Sequence, residues 1–275
     1  STVAGDSMEA IGPVAGDNGW FQLYAPNDKV IMQDLLSRAR NNGFSTLVVT
    51  ADVPGPSRRE DMARAGAPIG SRNAMSLTPR VFWQSMTHPT WALAALQNGG
   101  KFRFKNLEPY YDAGSFDNVT QFIGSQLNGS LDWDYLNEIR AAWDGHLILK
   151  GILNGQDATR AVAAGVDGLI VSNHGGRQLD AVPASIDLLE AIRSSVGPKV
   201  PLLFDSGVRS GLDIARALAA GADFVMCGRA FMYGVAALGE PGADHVLAVL
   251  KDELENTMVQ LGLERLADLP TALSR

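Results

Sequence analysis

Ala163-Ala164-Gly165-Val166-Asp167-Gly168-Leu169-Ile170-Val171 is matched further along the chain by Ala219-Ala220-Gly221-Ala222-Asp223-Phe224-Val225-Met226-Cys227. Each stretch starts as the end of a helix and is closed by a glycine, the residue that takes a left-handed cap without a Cβ penalty. Each then passes an aspartate and enters a short apolar run of the length and β-branched content of a buried strand. Two helices therefore stand in the same relation to the strands that follow them. This is the rhythm of an α/β protein of the (β/α)8 TIM-barrel type.

The rhythm extends both ways. Upstream, Trp133, Leu136, Ile139 and Trp143 recur at helical spacing ahead of the strand Leu147-Ile148-Leu149-Lys150-Gly151. Downstream, a helix around Ile186 to Ser194 leads to the strand Val200 to Asp205, and a longer amphipathic helix, Asp244 to Leu261, is suited to cover the outside. Nearer the start, Trp20 to Tyr24 reads as a strand. Asn27 then serves as a cap for a helix with Val30, Ile31, Leu35, Leu36 and Ala39 on one face, and Thr46 to Asp52 reads as a second buried strand. Six strands can be counted, where a closed barrel needs eight, so the N-terminal part with the first two strands is expected to be absent from this chain, which opens Ser1-Thr2-Val3.

Residues 1–275 are accordingly read as one barrel domain interrupted by a long insertion at about 53–130, with a helix near Pro89 to Gln97. The insertion is rich in aromatics, including Phe82, Trp83, Trp91, Phe102, Phe104, Tyr110 and Tyr111. Lys101, Arg103 and Lys105 alternate with Phe102 and Phe104, a pattern that suits either contact with an anionic membrane surface or an amphipathic edge strand.

Composition narrows the function. With 46% hydrophobic residues the chain can bury a substantial core, and a net charge of −7 argues against nucleic acid as a partner. One cysteine excludes an internal disulfide, and no Cys/His spacing makes a metal site. No apolar run reaches the roughly 18 residues of a membrane-spanning helix, and a cytoplasmic location fits.

Chemistry-bearing residues gather at the C-terminal strand ends, the face where this architecture holds its active sites. In order they are Tyr24, Thr50 and Asp52, Lys150, Ser172 to Arg177, Asp205 to Arg209, and Gly228-Arg229. His174 can carry a proton, and Arg177 can fork onto a carboxylate. Gly207, Arg209, Gly228 and Arg229 supply backbone N–H groups, little bulk and two guanidiniums for a phosphate. A polar turn into the next helix is the plainer reading of His174-Gly175-Gly176 taken alone; the other strand ends argue for a site.

Ser172-Asn173-His174-Gly175-Gly176-Arg177-Gln178-Leu179-Asp180 resembles the signature of the FMN-dependent α-hydroxy acid dehydrogenases and oxidases, the group of glycolate oxidase, flavin-type lactate dehydrogenase and mandelate dehydrogenase. Gln22, Tyr24, Thr50 to Asp52, Arg59, Lys150-Gly151, Asp205 to Arg209 and Gly228-Arg229 fall in the family's order, so the resemblance spans essentially the whole chain. It implies FMN as cofactor and oxidation of an (S)-2-hydroxy acid, lactate- or mandelate-like, to the 2-oxo acid. His174 matches the active-site base and Asp52 the carboxylate that holds its other ring nitrogen. Arg177 and Arg59 would bind the substrate carboxylate, and Tyr24 would hydrogen-bond the substrate. Lys150 matches the lysine beside flavin N1 and O2. Gln22, Thr50 and Ser172 would contact the flavin ring or ribityl chain, Asp205 the ribityl hydroxyls, and Gly207, Arg209, Gly228 and Arg229 the phosphate. The resemblance also implies a homo-oligomer, leaves the electron acceptor open between oxygen, a quinone and another carrier, and does not fix whether His174 takes the hydroxyl proton while hydride moves to the flavin or takes the α-proton to make a carbanion.

Thr78-Pro79-Arg80 to Trp91 and Gly234 to Gly242 look most like the mandelate dehydrogenase branch, whose insertion attaches to membranes; this implies peripheral contact with the inner membrane face. Family members carry additional N-terminal sequence with the first two strands and another active-site tyrosine. That part is supplied separately, or the chain is a fragment, or the barrel is incomplete. Two rivals follow: a flavin binder with incomplete chemistry, and a Schiff-base lyase using Lys150 with the same phosphate clamp.

Overall fold

The structure, a computed structural model, describes residues 1–55, 79–97, 103–111, 116–127, 131–179 and 181–273; Arg59, Lys101, Phe102 and Asp180 lie outside the described residues. Two compact units are distinguished, Ser1–Leu47 with Val53–Asp132, and Val48–Asp52 with Trp133–Arg275.

The first unit contains α1 (Met8–Ala15), β1 (Trp20–Leu23), α2 (Lys29–Asn41), the start of β2 (Thr46–Thr50), and then α3 (Pro79–Thr87), α4 (Pro89–Gln97) and α5 (Phe116–Gln126). Helix α2 starts one residue later than its sequence suggests. Asp28, not Asn27, is its cap, because the Asp28 carboxylate accepts from Val30 N at 2.8 Å, whereas Asn27 N donates to Gln126 O. Its buried face is Ile31, Met32, Leu35, Leu36 and Ala39; Val30, in the first turn, points to solvent. Arg38 near the helix end donates to Glu9 Oε1 at 2.8 Å, to Asn106 O at 2.9 Å and to Tyr110 Oη at 3.0 Å. Burial, and then the Asp34 carboxylate it bonds, push the Tyr110 phenol up to about 12.

The helix expected at Pro89 to Gln97 forms with those bounds. Arg103 to Lys105 form no strand. Phe104 is buried with Leu107 against Val3, Tyr110, Tyr111, Phe122 and Ile123, so it packs a small core and is withdrawn from any surface.

The second unit runs from Val48–Asp52, the end of β2, through α6 (Trp133–Ala142), β3 (His146–Ile152), α7 (Gly155–Ala163), β4 (Gly168–Val171), α8 (Ser185–Val196), β5 (Leu202–Phe204), α9 (Gly211–Ala219), β6 (Phe224–Val225), α10 (Arg229–Leu238) and α11 (Gly242–Leu261). The strands are ordered as in sequence, and β3–β4, β4–β5 and β5–β6 pair in parallel. Parallel neighbours joined by helices make an α/β fold of the (β/α)8 barrel type, with six strands among the described residues. β5 is shorter than its apolar run because Pro201 has no N–H to give; its carbonyl still accepts from Leu169 N at 3.0 Å.

The repeated junction has a repeated physical cause. Asp167 Oδ2 accepts from Leu147 N at 2.8 Å, and Asp223 Oδ2 accepts from Leu202 N at 2.8 Å, so each aspartate ties the start of the neighbouring strand. Each also takes a guanidinium from the helix before that strand, Arg140 at 3.0 Å and Arg193 in the second case. The same arginines serve helix-end carbonyls. Arg140 donates to Trp143 O and Gly145 O, and Arg193 to Gly197 O and Val200 O. Left unpaired at a helix end, such carbonyls would cost free energy.

Helix α11 is tied to the start of α9. Glu253 Oε2 accepts from Gly211 N at 2.8 Å, at the first turn of α9. Gly211 is needed there, since a Cβ would stand 2.1 Å from Leu254 N.

Val48, Ile148, Ile170 and Leu203, one from each of four adjacent strands, form a buried layer with Met226 packed against it. Strand side chains repeat every two residues on one face. Two residues further along the same face are Thr50, Lys150, Ser172 and Asp205, so the polar site grows directly out of the apolar core.

Candidate active site

Lys150 lies at a kink in β3, where the register slips between Lys150 and Ile152. Gly151 makes the kink with φ +102, and a Cβ there would fall 2.6 Å from Asp52 Cβ. Only glycine lets the two strand ends come this close. Ala51 N donates to Lys150 O at 2.8 Å, which carries the pairing up to Asp52.

The side chains then converge. His174 Nδ1 faces Asp52 Oδ1 at 2.9 Å. An ionised carboxylate can only accept, so Nδ1 carries the hydrogen and Nε2 is the basic nitrogen of the neutral ring. Lys150 Nζ donates to Ser172 Oγ at 2.6 Å, pairs with Asp205 Oδ2 at 3.1 Å and stands 3.9 Å from Asp52 Oδ2. Asp52 Oδ2 is buried without a hydrogen-bond partner, leaving the lysine's charge as its nearby compensation. All four ionisable side chains are at most one-fifth exposed, and Ser172 is fully buried.

Of the residues expected from sequence, Asp52, Lys150, Ser172, His174 and Asp205 are brought together, with Thr50 buried beside them on β2. Arg177 is half-buried on the His174 loop. Gly207 and Arg209 follow β5, with Gly207 at φ +87, and Gly228 caps α10, whose first residue is Arg229. Arg229 Nη2 donates to Gly175 O at 3.2 Å, and Gly175 has φ +68, a left-handed backbone that favours glycine. Gln22 and Tyr24 belong to the first unit, where Gln22 O accepts from Thr2 N at 2.8 Å and Tyr24 N donates to Thr2 Oγ1 at 3.1 Å. Arg59 is outside the described residues.

Two site residues carried no recognised role in the sequence. Ser206 Oγ bonds Asn173 N, Gly175 N and Asp205 Oδ1, and Ser185 Oγ donates to Asp205 O at 3.0 Å. The signal for Ser206 was its place between Asp205 and Gly207 at a strand end; Ser185, at the start of a helix, gave none.

A parallel α/β barrel sheet ending in a histidine–carboxylate pair, a part-buried lysine and two glycine-arginine loops has the form of a barrel enzyme's active-site face. The chain matches the FMN-dependent dehydrogenase family over residues 1–275. It is 40% identical over 272 residues to an L-lactate dehydrogenase of Pseudomonas entomophila, covering 98% of this chain and 70% of that protein. Among solved structures it resembles the monotopic membrane protein (S)-mandelate dehydrogenase, with a TM-score of 0.90, 35% identity and coverage of 99% and 71%. It also resembles a mandelate oxidase, with a TM-score of 0.75, 32% identity and coverage of 98% and 66%. The chain belongs to the FMN-dependent α-hydroxy acid dehydrogenase family, and its cofactor is FMN. The donor set fits that cofactor: a lysine cation held between carboxylates, a strand-end aspartate, and N–H groups and guanidiniums at a helix start for the phosphate.

Proposed function

We propose that the protein oxidises a small (S)-2-hydroxy acid to the 2-oxo acid, with His174 as the base. The observation that carries this is the His174–Asp52 pair at 2.9 Å beside Lys150. FMN, when bound, supplies the acceptor for the substrate's two electrons. Asp52 fixes the ring's tautomer and stabilises the imidazolium that forms when Nε2 takes a proton. Arg177, on the same loop, binds the substrate carboxylate as a fork, and by family resemblance Arg59 assists and Tyr24 hydrogen-bonds the substrate. Lys150 holds positive charge against Asp205 next to the reacting centre, while Thr50, Ser172 and Gln22 are assigned to the cofactor's ring and ribityl chain. Arg209, Arg229, Gly207 and Gly228 are assigned to its phosphate.

Lactate and mandelate, with a methyl and a phenyl group on the α-carbon, are the two substrates to compare, since proteins named for each are among the relatives. Dye-linked oxidation of (S)-lactate and (S)-mandelate, each against its (R) enantiomer, tests the reading. Turnover of an (S)-acid that is lost in His174→Gln supports it; equal rates for both enantiomers, or full activity in His174→Gln, contradicts it.

We also propose that α3 and α4 contact a membrane surface. Phe82, Trp83, Met86, Trp91, Leu93 and Leu96 on these helices are each more than half exposed. Among the described residues no helix is long and apolar enough to cross a membrane, so such contact would be peripheral. Sedimentation with anionic vesicles, lost on replacing Trp83 and Trp91 by serine, is the expected result.

A further inference from the structure

His174 sits in an unusual backbone. Its φ is +56, and Gly175 and Gly176 follow at +68 and +69, so three successive residues are left-handed. Glycines take that conformation freely, but a histidine does so at a cost and needs surrounding structure to hold it. Consecutive N–H groups in left-handed backbone turn inward and form a concavity that wants an acceptor.

Two serine hydroxyls fill that need. Ser172 Oγ accepts from His174 N at 3.0 Å. Ser206 Oγ accepts from Asn173 N at 3.2 Å and from Gly175 N at 3.0 Å, the N–H groups on either side of His174. Ser206 in turn donates to Asp205 Oδ1 at 2.8 Å. A hydroxyl offers two lone pairs and one hydrogen, so these three bonds use its whole capacity and leave none for a ligand. Ser206 is itself at φ +85, where glycine would be the easier residue; the hydroxyl stands at a position whose backbone disfavours any side chain.

Asp205 completes the connection, because its other oxygen pairs with Lys150 Nζ at 3.1 Å. We propose that Ser206 is a positioning residue. Its hydroxyl locks the left-handed loop that aims the His174 ring, and it links that loop through Asp205 to Lys150. This rests on the reading of His174 as the base. It adds that the base's placement depends on a side chain from the next strand end, one whose hydroxyl is fully engaged by the chain's own groups.

Ser206→Gly and Ser206→Ala test this, with turnover counted per bound flavin. Both lose the hydroxyl, and only glycine relieves the backbone, so glycine keeps the fold measurable if alanine does not. In both, kcat is expected to fall about tenfold or more while KM for the hydroxy acid moves less than about threefold, the pattern of a misplaced reacting group. The isotope effect on kcat with substrate deuterated at the α-carbon should rise, which a loss of folded or loaded protein would not produce. Wild-type kcat per flavin with an unchanged isotope effect in Ser206→Gly overturns the proposal. If His174→Gln is inactive in that same comparison, only the positioning role has failed; if His174→Gln turns over normally, the base assignment has failed and the positioning role with it.

Discussion

The imidazole of His174 and the carboxylate of Asp52, 122 residues apart in the chain, meet at 2.9 Å through Nδ1 and Oδ1. This contact needs Gly151, whose missing side chain leaves room for Asp52. Replacing Asp52 by asparagine keeps the shape but allows the wrong ring nitrogen to carry the hydrogen. Turnover should fall roughly 10²- to 10⁴-fold, with flavin content retained, as measured by steady-state assay per bound FMN.

Lys150 compensates Asp205 at 3.1 Å and the unpartnered oxygen of Asp52 at 3.9 Å. Lys150→Met leaves both carboxylates in a poorly solvated place. Loss of about 3 kcal/mol in urea unfolding is expected, following the cost of breaking a buried ion pair. Flavin should also be retained less well through desalting.

Arg140 ties Asp167 to three backbone carbonyls, those of Trp143, Gly145 and Gly165, away from the catalytic strand ends. Arg140→Ala should lower stability by about 2 kcal/mol, the scale of charge-assisted hydrogen bonds lost at partly buried carbonyls. Activity per folded molecule should stay at the wild-type level.

The Ala-Ala-Gly-x-Asp repeat revealed the barrel rhythm because the cause is local, with one glycine cap and one aspartate serving each strand start. Asp52, Lys150, His174 and Asp205 were legible because strand ends of a parallel sheet share a face, and a strand that ends in a polar residue announces it. Ser206 was marked only by its place at a strand end, and its role was hidden because that comes from φ +85 and from bonds to another loop. The helix cap at Asp28 in place of Asn27 goes with long-range hydrogen bonds from both residues to Gln126, which no local preference encodes.

Glu9 is held below its ordinary value of 4.5, chiefly by the Arg38 hydrogen bond. A depressed carboxylate contributes stability above its unfolded pKa and loses it as pH falls through the folded one. Glu9→Gln should therefore lower the urea midpoint at pH 6. The gap to wild type should close below pH 4.5, as Glu9 becomes protonated.

Cys227 is the single cysteine, and burial, with Asp213 nearby, pushes its thiol up. It should react with iodoacetamide at pH 8 more slowly than free cysteine, with a rate still climbing at higher pH, as followed by mass spectrometry.

The most direct test of the account is an anaerobic visible spectrum of the protein with FMN bound, recorded before and after addition of (S)-lactate or (S)-mandelate. Bleaching of the flavin band by one of these acids, slowed at least 100-fold in His174→Gln, is the predicted result. A yellow protein whose band neither acid changes would contradict the proposed reaction while leaving the flavin fold intact.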